Sequence, residues 1–170
     1  MKIGDIKINQ SKRISSHNVM LIKAVLFSNG PVCEVGAGLF STPLLHWLCK
    51  AMGRNLITYE NNEEFYIFAK AYQSKLHRIR RIDNWDEMDF RRHWGVVFID
   101  HAPSERRGTD AINFKNNADY IVMHDTEAEA EYGYNKIWSY FRYRYDWKEF
   151  RPFTSVVSNF YPLDKFGEKL

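Results

Sequence analysis

The sequence predicts an α/β domain built on a doubly wound, mostly parallel sheet, with helices on both faces and antiparallel strands at its C-terminal end. Three observations predict it. Short apolar runs of the fully buried kind, Val96-Val97-Phe98-Ile99 and Tyr120-Ile121-Val122-Met123 among them, recur along the chain. Between them lie segments with apolar residues at helical spacing, an alternation that requires right-handed crossovers between parallel strands. The runs also end in acidic or imidazole side chains, and in such sheets ligands bind at the carboxyl ends of the strands.

Taken in order, Val19, Ile22, Val25 and Leu26 predict a leading helix over Ser15–Phe27, with Ser15, Ser16 and Asn18 as candidate caps. Val32–Val35 is the first strand. Thr42–Met52 repeats Leu44, Leu45, Leu48 and Cys49 as a helix, with Pro43 in its first turn and Gly53 ending it. A strand over Leu56–Tyr59, a helix over Glu63–Leu76 and a strand over His77–Ile82 complete a βαβαβ order. Val96–Ile99 is the fourth strand, Thr109–Phe114 a short helix and Tyr120–Met123 the fifth strand. A helix over Tyr134–Tyr143 follows, and Trp147–Arg151 pairs with Ser155–Phe160 as the antiparallel end. We therefore divide a single domain into an N-terminal helical segment (1–30), a ligand-binding core (31–126) and a C-terminal helix with end strands (127–170).

Size and composition suit this reading. A chain of 170 residues with 45% hydrophobic content fills one core and is short for two. Its 24 basic and 21 acidic residues are spread along the chain, so no polybasic arm argues for nucleic acid. Cys33 and Cys49 fall inside apolar elements, as buried reduced thiols do, which makes the cytoplasm the expected compartment. Met1–Lys7 lacks the apolar core of a secretory signal, and no window approaches the roughly 18 apolar residues of a membrane span.

The densest signal is Val32-Cys33-Glu34-Val35-Gly36-Ala37-Gly38-Leu39-Phe40-Ser41. Gly36 and Gly38 let the main chain turn and a ligand approach it closely. No third glycine follows to seat a pyrophosphate, and Glu34 would repel one but attract a sulfonium or an α-amino group. A second acid, Glu60, ends the next strand. On these residues, from about Pro31 to Thr126, the chain resembles the class I S-adenosylmethionine-dependent methyltransferases, whose first motif reads acid-x-Gly-x-Gly. The resemblance implies that Glu34, Gly36, Gly38 and Ser41 line the cofactor site. It places Glu60 and Asn61 at the ribose, Asp83, Asn84 and Trp85 at the adenine, and Asp100 at the same crevice.

Within that family, Phe98-Ile99-Asp100-His101 and Met123-His124-Asp125-Thr126 are similar to the small-molecule O-methyltransferases of the catechol O-methyltransferase and cephalosporin hydroxylase/macrocin methyltransferase kind. The resemblance implies Mg²⁺ held by Asp100 and Asp125, lowering the pKa of an acceptor hydroxyl. The alternative is that the two acids contact the cofactor or cap helices. The chain departs from the catechol enzyme in carrying Pro103 where that enzyme has a lysine and Thr126 where it has an asparagine. His101 and His124 are both candidate general bases, an unperturbed imidazole titrating at about 6.5, with His101 preferred, and His124 reads as a packed imidazole rather than a ligand. Arg106 and Arg107, in the loop after the fourth strand, are candidates to clamp a carboxylate or phosphate on the acceptor, or else are solvated. The aromatic series Tyr132, Tyr134, Trp138, Tyr140, Phe141, Tyr143, Tyr145 and Trp147 reads as core and helix face.

The expected function is methyl transfer to an oxygen of a small molecule or sugar, on a domain whose open crevice a homodimer would close. A nucleic-acid or protein methyltransferase is disfavoured, because no Asn-Pro-Pro-Tyr type motif follows the fourth strand. A cofactor-binding protein without catalysis is the reading from a different class.

Overall fold

The computed structural model describes residues 2–3, 6–7 and 15–169. The rest of the 1–30 segment lies outside them. Two short strands not expected from the sequence, β1 (Lys2–Ile3) and β2 (Ile6–Lys7), pair antiparallel. The main sheet has seven strands in the order β5-β4-β3-β6-β7-β9-β8. These are β3 (Val32–Val35), β4 (Leu56–Glu60), β5 (His77–Arg81), β6 (Trp94–Ile99), β7 (Ala118–His124), β8 (Tyr143–Trp147) and β9 (Thr154–Ser158). β3 to β7 run parallel, and β9 and β8 are antiparallel additions at one edge.

Side chains alternate between the two faces. Val96, Phe98, Tyr120 and Val122 face Met20, Leu21 and Val25 of α1 (Asn18–Phe27) and Leu45 and Cys49 of α2 (Ser41–Ala51). Val97, Ile99, Ile121 and Met123 face Ala111 and Phe114 of α4 (Arg107–Phe114). Each such aliphatic or aromatic side chain contributes about 1.5–3 kcal/mol of burial. β6 is buried at every position, so no residue of it carries the polar half of an amphipathic pattern.

Four sequence expectations are corrected. Tyr134–Tyr143 is not a helix but two 3₁₀ turns, Tyr134–Lys136 and Trp138–Tyr140, which Ile137 joins before the chain enters β8. Aromatic residues are modest helix formers, and here Tyr134 is fully buried with its hydroxyl on His124 O, while Asn159 holds Arg142 N–H and Tyr140 O. The end strand begins at Tyr143 and Trp147 is its last residue rather than its first. The helix after Glu63 stops at Lys70 (α3), with Ala71 at its C-cap and Tyr72 and Gln73 closing a turn on Ala69 O and Lys70 O. At the start of α1 no side chain among the described residues caps the helix, and the Ser16 hydroxyl instead bridges Pro152 O, 2.6 Å away, and His124 Nε2, 3.2 Å away.

Candidate functional site

The register lines up the strand ends. Val35 pairs with Tyr59 and Ile99, and Ile99 with Met123, so Gly36, Glu60, Asp100 and His124 form one row along the carboxyl edge. The row straddles the β3/β6 boundary, where strand order reverses. Gly36 has φ of +91°, and a Cβ there would lie 2.6 Å from Asp100 O. Only glycine lets the two strand-end loops touch.

On the β4 side of the row, carboxylates meet neutral donors. Glu60 is buried and accepts Ala37 N–H at 2.7 Å through one oxygen, and Asn61 N–H and Asn62 N–H at 2.8 and 2.7 Å through the other. Burial raises its pKa, and those N–H groups oppose the rise. It thereby fixes the glycine loop and the α3 entry to one strand end. Glu34 is fully buried, taking hydroxyl bonds from Thr58 at 2.6 Å and Thr42 at 3.0 Å. Burial pushes its carboxyl up to about 7 against the Thr58, Ser41 and Thr42 hydroxyls. Thr58 in turn lies 2.8 Å from His77 Nε2, and His77 Nδ1 is 3.2 Å from His46 Nδ1. This buried polar chain was invisible in the sequence, because Thr58, His77 and His46 sit in three separate elements.

The β6–β7 side is charge-compensated. Arg107 lies between two acids, 2.9 Å from Asp100 Oδ1 and 2.9 Å from Asp125 Oδ2, with its Nε donating to His101 O and its guanidinium over the Tyr132 ring. Asp125 has φ of +58°, a left-handed conformation that Asp tolerates. His124 Nδ1 is 3.3 Å from Asp100 Oδ2 and 3.6 Å from Asp125 Oδ1. Burial alone would raise Asp100, but His124 and Arg107 win and hold it down to about 2. The same carboxylates keep His124 above its ordinary value although burial alone would lower it. His17, at the start of α1, stands edge-on to His124 with ring centres 4.6 Å apart. Burial and the neighbouring His124 push it down to about 3.

Several expected residues sit differently. The His101 imidazole is fully buried, stacked on Trp85 at 4.3 Å and 2.9 Å from Asp110 Oδ2, out of line for a hydrogen bond. No face of it reaches the crevice, so the structure does not support His101 as general base. Trp85 is itself buried, donating its indole N–H to Ala102 O at 2.9 Å, with one ring face covered by His101. Asn84 caps the turn over Trp85–Glu87, and the Asp83 carboxylate is almost fully exposed. Ser41 lies buried beneath Gly38 and supports Glu34. Arg106 pairs with Asp86 and Asp110. Neither arginine is an unpaired clamp.

Mg²⁺ between Asp100 and Asp125 does not fit this arrangement. The Arg107 guanidinium already supplies the counter-charge there, and Thr126 offers no third carboxylate or amide oxygen; its hydroxyl accepts from Ser155 instead. The sequence had marked His124 as a packed imidazole and passed over His17, whose isolated position in a capping segment gave no spacing signal.

No family model matches the sequence, and no curated protein matches it. Solved structures do. A Staphylococcus aureus protein provisionally named a caffeoyl-CoA O-methyltransferase superposes with a TM-score of 0.66 at 13% identity, over 91% of this chain and 87% of its own. An O-methyltransferase from Bacillus cereus, in complex with S-adenosylhomocysteine, gives 0.61 at 12% identity over 89% and 82%. A tRNA (m1A58) methyltransferase from Aquifex aeolicus gives 0.58 at 14% over 88% and 71%. With five parallel strands, two antiparallel ones at the edge and the glycine loop after β3, this chain has the class I methyltransferase fold.

Proposed function

We propose that the chain is an S-adenosylmethionine-dependent methyltransferase that methylates an oxygen of a small molecule or sugar. The observation that carries the reading is the Gly36 loop, held at positive φ against Asp100 O and pinned by Glu60 through Ala37 N–H, in the fold of methyltransferases. Among the described residues, no guanidinium or ammonium bonds Glu34 or Glu60 on that side of the crevice, which suits a cationic sulfonium. Glu60 Oε2 retains one unused lone pair for a ribose hydroxyl, with Asn61 beside it. The exposed Asp83 and Asn84 stand at the sheet edge for the adenine, and Asp100 faces the cofactor's amino group. The acceptor oxygen attacks the methyl carbon in line as the sulfur leaves, so the domain contributes chiefly alignment. With His101 buried, the hydroxyl proton passes to water or to a group the acceptor brings.

Calorimetric titration with S-adenosylhomocysteine tests the cofactor half. Micromolar binding to the intact protein is expected, with Glu60→Ala weakened by about 10–100-fold, the worth of one or two hydrogen bonds to a charged group. No binding to the intact protein would sink the reading. A methyl-transfer panel then separates acceptors. Phenols and sugars are the expected substrates, and turnover only on unmodified tRNA would replace them with the acceptor class named for the Aquifex aeolicus protein.

A further inference from the structure

We propose that His17, Asp100 and His124 form a site for a divalent transition-metal ion at the carboxyl edge of the sheet. One ligand atom from each lies within 4.8 Å of the others. Metal bonds of about 2.0–2.2 Å put coordinating atoms roughly 3–4 Å apart, so small side-chain rotations close the set. The site is distinct from the Asp100 and Asp125 pair, whose shared counter-ion is Arg107.

The hydrogen bonds around His124 decide which nitrogen is free. Ser16 has one hydroxyl proton and gives it to Pro152 O at 2.6 Å, so at His124, 3.2 Å away, it accepts from Nε2–H. Nδ1 is then the nitrogen that faces Asp100 Oδ2 at 3.3 Å. A metal-bound histidine shows this pattern, its second nitrogen held by an outer oxygen. Arg107 fixes Asp100 through Oδ1 and leaves Oδ2 toward the imidazoles. His17 supplies the independent observation. It is 3% exposed, yet among the described residues neither ring nitrogen has a hydrogen-bond partner, and its ring is wedged between Phe98 and His124. Buried polar atoms are nearly always partnered. An imidazolium at His124 paired with Asp100 would account for Nδ1, but it would leave His17 unexplained; a metal ion accounts for Nδ1 and for one of the two His17 nitrogens.

Two imidazoles with one carboxylate suit Zn²⁺, Co²⁺, Fe²⁺ or Mn²⁺ and not Mg²⁺, which prefers oxygen ligands. This proposal does not depend on methyl transfer, because its test needs neither cofactor nor acceptor. The full chain, stripped with a chelator, is titrated with Co²⁺, Zn²⁺ and Mg²⁺. One equivalent of Co²⁺ is expected to bind with a visible ligand-field band, Zn²⁺ to displace it, and Mg²⁺ to give no heat. His17→Gln and His124→Gln should each weaken binding at least tenfold, Ser16→Ala by about tenfold, while His46→Ala at the separate His46–His77 pair leaves it unchanged. Should a histidine variant misfold by circular dichroism, paramagnetic broadening of the His17 and His124 ring resonances by Co²⁺ in the wild-type protein gives the same answer. Absence of stoichiometric Co²⁺ and Zn²⁺ binding overturns the proposal. So does binding that survives in both folded variants, or broadening confined to His46 and His77.

Discussion

The two halves of the strand-end row solve one problem, a buried or half-buried carboxylate, in opposite ways. Glu34 and Glu60 are met by hydroxyls and backbone N–H groups. Asp100 and Asp125 are met by a guanidinium and an imidazole. Neutral donors satisfy a carboxylate's lone pairs but do not cancel its charge, so burial pushes Glu34 up to about 7 and Glu60 upward as well, and a cation entering that side would draw both toward the ionised form. Cationic partners cancel the charge, and Asp100 is held down to about 2. A crevice so divided offers a cation-attracting half and a charge-neutral half, which is the asymmetry a sulfonium donor and an uncharged hydroxyl acceptor require.

The largest effect should come from breaking the charged half. Arg107→Ala leaves Asp100 and Asp125 facing each other without their shared cation, and removing one partner of a buried pair costs about 3–5 kcal/mol. Denaturant unfolding reads it. If the cost is electrostatic, Asp125→Asn in the Arg107→Ala background restores part of the loss. A double variant no better than the single would assign the cost to lost packing on Tyr132.

Next comes the contact that joins the halves. Gly36→Ala forces a side chain into φ of +91° and against the Asp100 carbonyl, costing about 2–4 kcal/mol from the left-handed conformation and the overlap together. The same substitution should abolish S-adenosylhomocysteine binding. A stable Gly36→Ala protein that binds normally would show that the two loops need not touch.

The neutral half is sharpened by pH. Glu34 titrates at about 7 in the folded chain against an ordinary 4.5. The native state therefore holds the proton that the unfolded chain has released, and this contribution is full below about pH 4.5 and lost as pH rises through about 7. Glu34→Gln mimics the protonated form, so it should be the more stable protein by about 2–3 kcal/mol at about pH 8 and equal to wild type at about pH 4.5. His77 works the other way. Burial pushes it down to about 4 from 6.5, and its contribution is lost as pH falls through that window. The two slopes oppose each other between about pH 4.5 and 6.5, so wild type is flatter than either single variant. An unchanged difference between Glu34→Gln and wild type across the range would mean that Glu34 is ionised throughout.

How much of this was legible in the sequence follows from the range of the interactions. The parallel sheet, the glycine turn and the acid-tipped strands were readable because period, apolar runs and Gly36-x-Gly38 are local patterns. Their register then put Glu60 and Asp100 beside Gly36. Partner choice was not readable. Glu34 meets Thr58 across 24 residues, His124 meets Ser16 across 108, and Arg107 reaches Asp125 across 18. The segment after Gly133 misled for the same reason, since Tyr134 gives up helical geometry to bury its ring and bond His124 O.

The adjacent arginines supply the most discriminating prediction. In the sequence Arg106 and Arg107 are equivalent candidates for gripping an anionic acceptor, yet the turn of α4 separates them. Arg107 points under the loop to the two strand-end acids, whereas Arg106 points outward to exposed Asp86 and to Asp110 one helical turn on. Asp110 is fully buried and takes two Arg106 nitrogens, with the His101 imidazole 2.9 Å away but out of line to replace them, whereas Asp86 returns to solvent when Arg106 is removed. Arg106→Ala should therefore cost about 1–3 kcal/mol, the penalty of leaving a buried acceptor without its donor, and leave acceptor KM unchanged. A several-fold rise in KM in the folded variant would return Arg106 to the acceptor site and show that its pairing with Asp86 opens when substrate binds.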